Sequence, residues 1–184
     1  LNTRQLSCRE LLAACQEWAE VTEPVVNALS ISEWDAALTV AQRLDDDPSV
    51  LSGAPLRGLV TAHKDLLETA DFRTTYGSPL FASFTPGEDH PLVAALRQAG
   101  LVAVGKTNTP EFGAGSHTYN PLHGPTRNPW DPGRTAGIPR VSGGGMERVF
   151  GVGCSPALRG IGVPERHPAW VSPANNPKRK LQYT

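Results

Sequence analysis

Few residues of this chain have both the chemistry and the setting of a reactive site, and they gather at the ends of two short apolar runs. The first run, Leu59-Val60-Thr61-Ala62-His63, follows Gly58 and ends on Lys64 and Asp65. A short apolar segment bounded by Gly and Pro reads as a strand, which carries Lys64 to its far end. A lysine there has two readings. It is a surface cation paired with Asp65, or an amine desolvated enough to give up its proton and serve as a base. The second run belongs to Gly100-Leu101-Val102-Ala103-Val104-Gly105-Lys106-Thr107, which fits the phosphate-loop pattern G-x-x-x-x-G-K-[ST] letter for letter. Its context argues against phosphate. Such a loop needs a strand before its first Gly and a helix opening at Lys-Thr. Here the first Gly closes a helical stretch, the intervening residues are strand-like, and Thr109-Pro110 forbids a helix.

The elements that must position these residues can be read by period. Ser7-Cys8-Arg9-Glu10 has the form of a capping box ahead of Leu11, Leu12 and Cys15, which predicts a first helix. Ser32 with Asp35 repeats the signal ahead of Trp34, Ala37, Leu38, Ala41 and Leu44, until Asp45-Asp46-Asp47-Pro48 ends the run. A third helix is expected from Pro91 to Ala99, capped by Asp89, followed by a buried strand at Leu101 to Val104. Strand, helix, strand is a crossover unit. The fold class predicted is therefore α/β, with a mixed, mostly parallel sheet and flanking helices. Beyond Gly137 the text becomes rich in Gly and Pro without helical or strand period, so an irregular tail is expected over 139–184.

The segments Gly58 to Asp65, Thr74-Thr75-Tyr76-Gly77-Ser78-Pro79-Leu80-Phe81, Gly105 to Gly113, Gly124 to Pro132 and Arg134-Thr135-Ala136-Gly137 resemble, in order and spacing, the amidase signature family. The likeness runs from about Ser7 to Gly137, and the chain divides on it into 1–137, the N-terminal part of an amidase domain, and 138–184, a divergent tail. The resemblance implies hydrolysis of a carboxylic amide to acid and amine through an acyl-enzyme, by a Ser, cis-Ser, Lys triad without metal or organic cofactor. It places the general base at Lys64. Thr107, Asn108, Asn128 and Arg134 are read as supports for loops and turns.

The family next uses a Gly-Gly-Ser-Ser-Gly-Gly loop for the cis-Ser and a later Gly-Gly-Ser for the nucleophile. The family spacing counted forward from Lys64 falls on Pro139 and Val163, neither of which carries a hydroxyl. Ser142, in Ser142-Gly143-Gly144, is the nearest candidate to replace the cis-Ser if the loop absorbs a short insertion. Ser155 and Ser172, each followed by Pro, read as loop serines. Codons ATT CCT CGG GTN for Ile138-Pro139-Arg140-Val141 contain TCC TCG GGT in a shifted frame, which spells Ser-Ser-Gly. A frameshift is the leading explanation of the break. The chain as written is therefore expected to be inactive. The alternatives are a non-catalytic amidase-like fragment or interaction module and, lower, the amidase component of a tRNA-dependent amidotransferase. With most of such a sheet C-terminal to Gly137, both predicted strands are expected to carry unpaired edges.

Bulk composition bounds the partners. At 184 residues and 39% hydrophobic content the chain can build one real core. A net charge of −1, from 17 basic and 18 acidic residues, gives no reason to expect nucleic acid or a membrane surface. Lys178-Arg179-Lys180 reads as a solvated tail. Cys8, Cys15 and Cys154 have no zinc-like spacing, and the default compartment is the reducing cytoplasm. The partner expected is a small amide, and the oligomeric state is left open. Leu1 at the first position is compatible with a true start upstream.

Overall fold

The computed structural model describes residues 6–136, so expectations for 137–184, including the irregular tail and Ser142, lie outside the described residues. Helix α1 spans Cys8–Val26 and opens on the predicted capping box. The Ser7 hydroxyl accepts from the Glu10 N-H at 3.1 Å, and Glu10 accepts from the Ser7 N-H at 2.8 Å. Two further free N-H groups of its first turn, on Cys8 and Arg9, are taken by the Asp45 carboxylate at 2.9 and 3.0 Å. Asp45 lies in the last turn of α2 (Trp34–Asp46), so this one side chain both caps α1 and locks the two helices together.

Between the helices lies strand β1, Leu29–Ser32, which periodicity did not reveal. Ser32 consequently ends a strand and does not cap α2. The cap position falls on Glu33, which has no side-chain capping bond and whose N-H donates to Val104 O at 2.8 Å. Pairing with the sheet has displaced the local cap. Strands β2 (Val60–Lys64) and β3 (Val102–Thr107) then form the parallel pair that a crossover unit requires, with helix α3 (Pro91–Gln98) between them. The α3 cap is His90, whose Nδ1 accepts from the Leu92 N-H at 3.2 Å. Asp89 instead accepts from the Ala70 N-H at 2.8 Å and pairs with Arg97 at 2.8 Å, because Pro91 at the first helical position moves the cap one residue later than expected.

The sheet order is β1-β3-β2, with β1 antiparallel and β2 parallel to β3. β3 is thus paired on both sides, contrary to the expectation of an open edge there, while β2 has a strand partner on one side among the described residues. Helices α1 and α2 pack on this sheet through Cys8, Leu12, Ala37, Ala41 and Leu44 against Ala62, Val102 and Val104. Leu38, from the same expected stripe, faces outward instead. The described chain ends in two small hairpins, β4 (Tyr119–Asn120) with β5 (Gly124–Pro125), and β6 (Arg127–Asn128) with β7 (Asp131–Thr135). The result is a mixed α/β fold.

Candidate active site

β2 and β3 end side by side, with His63 opposite Lys106 and Lys64 opposite Thr107. Lys64 is half-buried, and its ammonium makes no hydrogen bond or ion pair among the described residues. Its neighbour Asp65 does not pair with it. One Asp65 oxygen accepts from the Thr75 N-H at 2.9 Å and the other from the Thr75 hydroxyl. Burial pushes the Asp65 carboxyl up, against the lowering effect of those Thr75 bonds. The same Thr75 Oγ1 lies 3.2 Å from Nε2 of His123, whose pKa burial holds below its ordinary value. The Lys64 amine therefore stands without a partner among the described residues, beside an Asp65 side chain whose two oxygens are held by Thr75.

The backbone just after Lys64 is fixed at two points. Asp65 N-H donates to Thr107 O at 3.0 Å, and Leu67 N-H donates back to Lys64 O at 2.9 Å. On the far side, Asn108 ties the end of β3 to the hairpins through Gly124 O at 3.0 Å and Thr126 Oγ1 at 3.1 Å. Its Oδ1 accepts from Asn120 Nδ2 at 2.7 Å. The expected supporting role of Asn108 thus has a geometry. Asn128 accepts from the Trp130 N-H at 2.9 Å within its turn, and Arg134 pairs with Asp131 at 2.9 Å in the exposed β6-β7 hairpin. Thr107 contributes its carbonyl to Asp65.

The phosphate-loop match dissolves in this geometry. Gly100 follows α3, Val102 to Thr107 is strand, and Lys106 is wholly buried, with no helix opening behind it. Its ammonium donates to Leu67 O, to Thr69 Oγ1 at 3.0 Å and to Thr74 Oγ1 at 2.9 Å. No donor remains for a phosphate. Burial lowers the Lys106 pKa to about 8, opposed by the charges of Asp65, Asp71 and Asp89. His63 is equally hidden, its two ring nitrogens lack hydrogen-bond partners among the described residues, and burial with the nearby Lys106 and Arg97 charges lowers its pKa to about 4. Sequence reasoning missed His63, Asn120 and the true setting of Lys106. The one available signal was an internal lysine in an otherwise apolar strand.

A mixed sheet with flanking helices is the architecture that the amidase resemblance implies. The family model "Amidase" matches residues 10–159, and this chain belongs to that family. The match passes Gly137, where the motifs stop. Among curated proteins the chain is 41% identical over 128 residues to a glutamyl-tRNA(Gln) amidotransferase subunit of Burkholderia pseudomallei (strain 668), covering 68% of this chain and 25% of that protein. It is 36% identical over 171 residues to the corresponding protein of Azoarcus sp. (strain BH72), covering 92% and 34%. Among solved structures it is similar to an amidase (33% identity, TM-score 0.66, 74% of this chain and 31% of that one). It is also similar to a bacterial aryl acylamidase of the amidase signature family, at 26% identity and TM-score 0.68, over 75% and 29% of the two chains. The chain thus spans about a quarter to a third of the curated relatives' length. Among the described residues no helix is long and apolar enough to cross a membrane.

Proposed function

We propose that this chain carries the base-bearing part of a hydrolase that cleaves a small carboxylic amide. Lys64 is the general base of that reaction. It accepts, through a relay hydroxyl, the proton of an attacking serine, which forms the acyl-enzyme while the amine leaves; water then releases the acid. The observation that carries this reading is the Lys64 amine, half-buried at the end of β2 without a hydrogen-bond or ion-pair partner among the described residues; it serves as a base in its neutral form. Ser142 is the candidate relay hydroxyl, and residues 138–184 are the divergent tail in which the family's two serine motifs are not spelled out. As written, the chain is therefore proposed to be inactive, with a small amide as its partner only in an active form, in a cytoplasmic setting. A shift of reading frame near Ile138 is proposed as the origin of the change.

The amidotransferase relatives, at 41% and 36% identity, favour one second reading: the amidase component of a complex that amidates a charged tRNA. On that reading the chain meets partner proteins.

Turnover of an aryl amide and of glutamine, with labelling by a fluorophosphonate, tests both. The present sequence is expected to give neither turnover nor label. A version with the Gly-Gly-Ser-Ser-Gly frame restored is expected to hydrolyse amide and to lose that activity in Lys64→Ala. Labelling of any serine in the present chain, Ser142 included, overturns the proposed inactivity. Turnover that survives Lys64→Ala overturns the base.

A further inference from the structure

The lysine that imitates a phosphate loop has a different task. We propose that Lys106 is a positioning residue, whose ammonium closes the segment Leu67 to Thr74 onto β3 and thereby sets where Lys64, at the base of that segment, points. The proposal rests on Lys64 being the base, but its geometry is independent of turnover.

An ammonium has three donors and no acceptor, and Lys106 meets three oxygens, all from one segment of the chain. These are Leu67 O, Thr69 Oγ1 at 3.0 Å and Thr74 Oγ1 at 2.9 Å. Both hydroxyls have their own protons directed elsewhere, Thr69 toward Phe72 O at 3.1 Å and Thr74 toward Leu67 O at 3.5 Å. They are thereby left to accept from the lysine. Lys106, Thr69 and Thr74 are all fully buried, so no water competes for these bonds. Removing any one of them leaves a buried polar group without its partner. Among the described residues no carboxylate pairs directly with the ammonium. The charged and titratable groups that act on it are Asp65, Asp71, Asp89 and Arg97, with His63 facing it across the sheet.

The connection to Lys64 is one turn long. Leu67 places its carbonyl on Lys106 and its N-H on Lys64 O at 2.9 Å. Asp65, between them, is held by Thr107 O through its N-H at 3.0 Å and by Thr75 N-H through its carboxylate at 2.9 Å. A movement of Leu67 away from Lys106 therefore acts on the peptide group of Lys64. Among the described residues the Lys64 side chain makes no hydrogen bond or ion pair, so its direction follows this backbone closely.

The test reads Lys64 directly. Acylation of Lys64 by an amine-reactive ester is followed by peptide mass spectrometry, together with amide hydrogen exchange over 65–76, in the unaltered chain and in Lys106→Met, Thr74→Val and Thr74→Ser. Both Lys106→Met and Thr74→Val are expected to change the Lys64 acylation rate by about threefold or more and to raise exchange over 65–76. Thr74→Ser, which keeps the hydroxyl, is expected to behave as the unaltered chain. Should Lys106→Met lose cooperative unfolding, the Thr74 pair decides alone. An unchanged Lys64 rate in Thr74→Val, or an equal change in Thr74→Ser, overturns the proposal. Failure of amide turnover does neither, because no turnover is read.

Discussion

Gly105 lies directly beneath the carbonyl of Ile31: with φ at +140°, a Cβ on Gly105 would stand 2.0 Å from Ile31 O and 3.1 Å from Ser32 Cα. This contact is the crossing point of β1 and β3, where Ser32 faces Gly105 in the antiparallel register. The obstacle is backbone, so no rotamer relieves it.

Gly105→Ala is accordingly expected to force β1 off the sheet or to strain β3, at a cost of about 3 kcal/mol or more. The midpoint of urea unfolding, compared at constant slope, measures it.

His63 predicts an acid limb of stability. Its folded pKa of about 4 lies below the ordinary 6.5, so between these values the unfolded chain binds a proton that the folded chain refuses. Stability is expected to fall as pH drops from 6.5 to 4, by roughly 3 kcal/mol at full extent. His63→Leu is expected to flatten this limb in thermal unfolding followed against pH.

Lys106 predicts the opposite limb. Its folded pKa of about 8, below 10.5, means that the unfolded chain holds the proton longer, so stability rises as pH climbs from 8 toward 10.5. Lys106→Met is expected to abolish that rise. Tyr76, raised to about 12 by burial and by its bond to Glu68, works against it only above pH 10. The two contributions therefore separate in a titration of unfolding free energy.

Asp45→Ala is expected to cost about 2 kcal/mol, because it leaves the Cys8 and Arg9 N-H groups of α1 without their acceptor and removes the polar link from α2 to the start of α1. Ser7→Ala removes the hydroxyl that accepts from the Glu10 N-H and donates to the exposed Glu10 carboxylate, and is expected to cost about 1 kcal/mol. Circular dichroism during denaturation distinguishes the two magnitudes.

Much of this fold was legible because it is local. The capping box at Ser7 is written in four consecutive residues, and β2 and β3 are apolar runs whose boundaries are Gly and charge. β1 was not legible. Leu29-Ser30-Ile31-Ser32 is too short to show a period, and it is a strand because β3 offers it a partner across Gly105. The same tertiary pairing overrode Ser32 as a cap. The position of Lys64 at a strand end followed from pattern and resemblance, but its freedom from Asp65 did not. That depends on Thr75, ten residues further on, taking both carboxylate oxygens. Lys106 was concealed for the same reason: its three acceptors come from a segment more than thirty residues earlier, which no spacing rule connects to it.

The left-handed residue that ends α1 has a consequence for the order of events during synthesis. Asn27 gives its side-chain amide to His123 O at 2.8 Å and Pro125 O at 3.1 Å, and its carbonyl accepts from the Thr126 hydroxyl at 2.7 Å. The first helix is therefore sealed by some of the last described residues to leave the ribosome, across a separation of 99 positions. Contacts of such span form late and slow folding. A nascent chain halted before His123 has α1 and β1 to β3 in hand but none of the partners that the Asn27 side chain and carbonyl take, and must wait for the hairpins to arrive.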